Sequence, residues 1–176
     1  SELGMTESQL GMVSAFYFIP VAVLAIIVGR ALDKYSVKKF MMIGAIIYAI
    51  GLFSLSFINS YWSLLTIYLT ILALGSIMMG NLAVSKLIAN WFDKNAGRAL
   101  GIAAIGISFS GVMLPLIVDP LLDLVGWRNV YVIFASVVLF IILPLIFFTV
   151  IDDPKTVNQV KDGIKKDNEE ESLPQE

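Results

Sequence analysis

The sequence predicts an all-α protein, a polytopic membrane helix bundle of five transmembrane spans. Three observations lead there. Of 176 residues, 58% are hydrophobic and only 15% charged, whereas soluble domains carry about 25% charged residues. The charges are also sorted: 12 of the 26 fall after Ile151, 8 of them acidic and 4 lysine, leaving 14 for the first 151 positions. Finally, four charge-free runs, 8–29, 40–85, 99–118 and 129–151, hold 22, 46, 20 and 23 residues, against the roughly 20 that cross a bilayer core. A β-barrel would need alternating segments of about ten residues, and a signal peptide is a single short apolar stretch. These solidly apolar runs fit neither.

Taken in order, the first run gives a span near 9–31. The 46-residue run is too long for one crossing and contains the polar break Asn59-Ser60-Tyr61-Trp62-Ser63, a tight turn with interfacial aromatics. It divides there into spans near 40–58 and 64–88. Spans near 97–118 and 129–150 complete a transmembrane region over residues 1–151. Residues 152–176 contain Pro154 and Pro174, no aromatic residue and a net charge of −4, while residues 1–151 are net +2. So polar a segment cannot offset its ordering entropy by burial, and it reads as a disordered acidic cytoplasmic linker. The pI near 5.1 describes that tail and not the apolar region.

Loop charges orient the bundle. Residues 30–39, 86–98 and the tail hold 11 of the 12 Lys and Arg; the opposite side holds only Arg128. Basic loops stay cytoplasmic, so Ser1 is expected outside and the tail inside, in a multi-pass protein of the cell (inner) membrane. An outside start needs a preceding span to deliver it, so the chain is expected to be a fragment.

Cysteine and histidine are both absent. That removes disulfides, thiolate nucleophiles, His-based metal sites and Ser–His triads. The expectation is no enzyme, no catalytic residue, no metal, no cofactor and no nucleic-acid partner.

Candidate functional residues begin at the end of span one. On a helix, Gly11, Ser14, Ala15, Ala22, Ala25, Gly29 and Asp33 fall within about 100° of one face. Small residues let a second helix approach closely, and a carboxylate ending that face can meet the positive N-terminus of a partner helix. Equally, Lys34, Lys38 and Lys39 could serve only to set topology, with Asp33 as their surface partner. Gly29-x-x-x-Asp33-Lys34-x-Ser36-x-Lys38-Lys39 resembles the signature loop between the second and third helices of the major facilitator superfamily. Ser36 replaces that pattern's second glycine. The resemblance implies a cytoplasmic loop whose Asp33 takes part in gating between two halves of a transporter.

Two further motifs agree with it. Trp91-Phe92…Ala96-Gly97-Arg98-Ala99-x-Gly101-Ile102 resembles the junction of the fourth and fifth helices, with Ala96 where arginine is usual and Arg98 two residues on as a substitute charge. Gly126-Trp127-Arg128 is similar to the opening of the sixth helix. By resemblance, residues 1–151 are helices two to six of a partial major-facilitator fold, and the partner is a missing C-terminal half. In span four, Gly97, Gly101, Ala104, Ser108, Gly111 and Pro115 form one stripe of small residues, with Ala103, Gly106 and Ser110 as a second small face on the far side. Two such faces suit a helix packed between two neighbours, in a rigid bundle or during rocking.

The charge-free runs contain no Asp, Glu, Lys, Arg or His, the usual marks of an ion pathway. The substrate-pathway candidates are therefore weakly polar: Tyr17 beside Phe18, Asn81 and Ser85, Ser108 and Ser110. Asn81 leads them because a buried amide needs partners, and an interhelical hydrogen bond would satisfy it as well as a substrate. The resemblance implies a secondary active transporter for small organic solutes, by symport or antiport, working through alternating access. Its partners would be the solute, a coupling proton and membrane lipid. The span-four motifs look most like monocarboxylate and oxalate/formate-type carriers. An anionic substrate would then need a cation from outside these spans. A proton-coupled exporter of lipophilic compounds is the rival substrate class. A non-transporting five-span scaffold or assembly subunit is the rival from another class.

Overall fold

The computed structural model describes residues 7–157 and 159–161. Helix α1 runs Glu7–Leu32 and α2 runs Val37–Leu55. Helix α3 covers Tyr61–Trp91, with a π-helical turn at Tyr68–Leu72 and an interruption at Gly80, whose backbone is extended (φ −86°, ψ −151°). The last apolar stretch, Ala96–Thr149, holds 54 residues, or about 80 Å at the helical rise, more than twice a bilayer core. It breaks at Gly126, where φ is 76° and ψ 158°, a region closed to residues with a Cβ. We label residues 96–125 α4 and residues 127–149 α5. A single 3₁₀ turn follows at Pro154–Val157.

Contacts at the two ends establish that the last stretch runs the length of the bundle twice. Trp91 Nε1 donates to the Ile151 carbonyl at 2.7 Å, joining the end of α3 to the end of α5. Arg128 Nη2 donates to the Ile58 carbonyl at 3.3 Å, joining the start of α5 to the far end of α2. Residues 91–96 and 127–128 therefore lie at opposite ends of the bundle, and α4 spans the distance between them.

The core is built on α2. Val37, Met41, Ala45, Ala49, Leu52 and Leu55 are buried along it. Its closest partner is α3: a Cβ placed on Gly75 would lie 2.7 Å from the Tyr48 backbone nitrogen, and one on Gly44 would lie 2.7 Å from Met78 Cβ. Only glycine permits this approach, the close backbone packing that small residues allow in lipid. Helix α1 adds Val13, Val28 and Leu32 to the core, and α5 adds Val130, Ala135, Val138 and Ile146. Ser36 and Ser60 cap α2 and α3, accepting from the backbone N–H of Lys39 at 3.2 Å and of Trp62 at 3.3 Å.

The small-residue stripes are placed differently from expectation. Among the described residues no atom lies within 4 Å of a Cβ built on Gly97, Gly101, Gly106 or Gly111. Among the described residues α4 is not packed between two neighbours; Ile102 is 70% exposed and Leu124 80%. Gly11 is likewise open, and Gly29 meets only Leu82 Cδ2 at 3.8 Å. Small side chains permit close packing but do not require it, and here the tight contact went to the α2–α3 pair.

The expected linker over 152–176 opens with an ordered piece, because Asp152 and the turn after it are tied to the bundle. Residue 158 and residues 162–176 lie outside the described residues.

Candidate gating end and interior polar sites

The basic ends of the helices gather most of the predicted loop residues. Asp33, at the turn after α1, accepts from Lys86 Nζ of α3 at 2.6 Å. The Asp33 side chain is 66% exposed and that of Lys86 34%. Gly29, Leu32, Leu82 and Ser85 line the same recess. Lys34 and Lys39 stand exposed at the surface, as does Arg98 on the first turn of α4. Lys38 is drawn inward, its Nζ 5.1 Å over the Phe147 ring. The loop thus brings Gly29, Asp33 and Lys38 into contact with other helices and leaves Lys34, Lys39 and Arg98 in the open.

Two residues of this end were not among the candidates. Lys86, the partner of Asp33, sits where charge counting reads only a topogenic residue. Asp152 was assigned to the linker, yet its carboxylate caps α2. It accepts from Ser36 Oγ through Oδ2 and from the Lys38 backbone N–H at 2.6 Å through Oδ1. The first turn of α2 carries no acidic residue of its own, so its unpaired N–H groups and positive dipole end take their anion from 114 residues away. Asn90 Nδ2 donates to the Asp152 carbonyl at 2.9 Å, and with Trp91 it locks α3 to the end of α5.

Ser36, the departure from the signature pattern, finds its role here. Its φ of −58° and ψ of 122° are open to any residue, so no glycine is needed at this position. The hydroxyl both caps α2 and binds Asp152.

In the interior, Tyr17 alone of the pathway candidates is drawn into the bundle. Its hydroxyl donates to Ser76 Oγ at 2.5 Å, and its ring meets Tyr68 edge-on at 5.8 Å. Tyr48 and Tyr131 complete the group. Those three tyrosines and Ser76 were also missed; tyrosines inside charge-free runs were the available signal, since a buried phenol seeks a partner. Asn81 is exposed at the helical restart after Gly80. Ser108 and Ser110 are exposed on α4 and donate to their own helix, to Ala104 O at 3.2 Å and Ile107 O at 2.7 Å. Ser85 is exposed in the Asp33 recess, and Phe18 is 69% exposed.

At the opposite end, Gly126 makes the reversal, and the Arg128 guanidinium lies 4.1 Å over the Trp127 ring while donating to Ile58 O and Asn59 Oδ1. The Gly-Trp-Arg motif is thus a turn, a stacking platform and a clamp on the end of α2.

Comparison with known proteins places these features. The chain is 28% identical to MFS-type transporter 1 of Ophiocordyceps sp. over 80% of its length and 31% of that protein's. It is 25% identical to the uncharacterized MFS-type transporter YcxA of Bacillus subtilis over 81% of its length and 35% of the relative's. It is 26% identical to the riboflavin transporter MCH5 of Saccharomyces cerevisiae over 62% and 21%. The chain spans about a third or less of the length of these curated relatives. No solved structure matches it. Residues 1–171 match the Major Facilitator Superfamily, and with its apolar helices the chain belongs to that family of multi-pass membrane transporters, not to an enzyme family.

Proposed function

We propose that the chain supplies five helices of a secondary active carrier for small organic solutes, working by alternating access, with the Asp33 loop as its gate. The supporting observation is the Asp33–Lys86 contact at 2.6 Å. The carboxylate ends α1, the lysine belongs to α3, and the carboxylate is open to water. Such an exposed pair contributes about 0.2–1 kcal/mol, so Asp33 can exchange Lys86 for another partner at small net cost. The other side of the same loop is clamped by Asp152. A loop fixed at α2 and loosely held at α1 suits a contact that changes when two halves rock about a midplane site.

The basic ends face the cytoplasm in this reading, in the cell membrane. Small monocarboxylates with a coupling proton are the narrower substrate reading. The yeast relative is named for riboflavin, a larger organic solute, which supports the broader class. In a carrier as long as those relatives, the second wall of the cavity and the cation facing any anionic substrate come from the other half.

The test is uptake of labelled monocarboxylates by vesicles holding the full-length protein, with and without a proton gradient. Gradient-dependent accumulation is expected; none for any organic anion overturns the narrower reading. Asp33→Asn should insert normally and lower turnover by about tenfold, equivalent to about 1.4 kcal/mol on the barrier. Unchanged turnover would remove Asp33 from the gate.

A further inference from the structure

A trough runs along one side of the bundle between α2 and α5, lined by Ile50, Phe53, Val132, Ala135 and Leu139 among others, with a cavity volume of about 300 Å³. Its walls are almost wholly apolar, and Ile50 and Phe53 are about half exposed, at 54% and 49%. At Val132 it adjoins a second hollow lined by Ser56, Asn59, Arg128 and Asn129. The pair of hollows is therefore amphipathic along its length: hydrocarbon walls, then amides, a hydroxyl and a guanidinium.

Its dimensions match one leaflet. Leu139 and Arg128 are 11 positions apart on α5, about 16 Å at the helical rise, and half of a bilayer core is about 15 Å. The guanidinium thus lies where headgroups begin when the trough lies among acyl chains. Among the described residues, Arg128 is the single basic residue at this end of the bundle. Stacking on Trp127 and bonds to Ile58 and Asn59 orient its plane, and a guanidinium is the side chain best suited to phosphate oxygens.

We propose that this trough binds one anionic phospholipid, its phosphate on Arg128 and one acyl chain between α2 and α5. The opposing membrane surface, with its many lysines, attracts anionic lipid diffusely; here one charge at the head of a shaped groove selects a single molecule.

The test is native mass spectrometry of the full-length protein in detergent, with phosphatidylglycerol or phosphatidylcholine added. One phosphatidylglycerol should be retained in preference to phosphatidylcholine. Arg128→Gln should weaken that retention about tenfold, the effect of losing one charge-assisted hydrogen bond. Because Arg128 also holds the end of α2, Ser136→Trp provides a second reading. Ser136 is exposed on the trough wall, so a large side chain there blocks the acyl chain and should give the same loss with the helices intact. Lys94→Gln, at the other end, should change nothing. Equal retention of both lipids, or retention unaffected by both Arg128→Gln and Ser136→Trp, means annular lipid only and overturns the proposal.

Discussion

The Asp152 carboxylate accepts a hydrogen bond from the Lys38 backbone N–H at 2.6 Å across 114 residues of sequence. It closes the bundle into a ring at its basic end: the exit of α5 is bound to the entry of α2. A helix that begins Val-Lys-Lys puts positive charge on its own positive dipole end, and the remote carboxylate offsets it.

Removing that cap should be measurable as stability. Asp152→Ala is expected to cost about 0.5–2 kcal/mol, the range for a lost N-terminal cap, read from unfolding in detergent. Asp152→Asn, which keeps an acceptor, should cost less. In a double-mutant cycle with Ser36→Ala the two losses should be less than additive; strict additivity would mean that Ser36 and Asp152 act independently.

Glycines of similar appearance should behave oppositely. Gly75→Ala forces a Cβ to within 2.7 Å of the Tyr48 backbone, and overpacking of this kind costs about 1–3 kcal/mol. Gly101→Ala and Gly111→Ala meet open space among the described residues and should leave thermal stability unchanged. Equal tolerance at all three positions would refute the α2–α3 contact.

Gly126 is the one described glycine with a positive φ, 76°. Gly126→Ala should destabilise the protein by about 1–3 kcal/mol through backbone strain, although nothing lies near the added methyl. A protease-sensitivity assay at the α4–α5 turn would detect the loosened reversal; wild-type resistance together with wild-type melting would contradict the strained turn.

Orientation is testable because the chain contains no cysteine. In intact cells, a membrane-impermeant maleimide should label Asn59→Cys and leave Lys39→Cys unlabelled until the membrane is opened. The reverse pattern would invert the topology proposed here.

Some of the site was legible before any coordinates. Asp33 stood out because the residues around it match a known loop, and Gly126-Trp127-Arg128 because it is similar to the opening of that family's sixth helix. Lys86 and Asp152 did not stand out: each looks like an ordinary loop charge, and only its neighbours in space distinguish it. The small residues of α4 meet no partner among the described residues, since a row of small residues states what could pack there and not whether anything does.

Hydropathy and charge order by themselves determined that this is a membrane helix bundle and which of its loops are basic. Those properties follow from each segment's own transfer from water to lipid, a sum over local residues. Tertiary structure alone decided which carboxylate caps α2, which lysine holds Asp33, which glycines are indispensable and where Arg128 meets an apolar trough. Each of these depends on the rotation and order of helices far apart in sequence, and helix–helix packing in lipid is settled by contact geometry rather than by apolarity, which all the helices share.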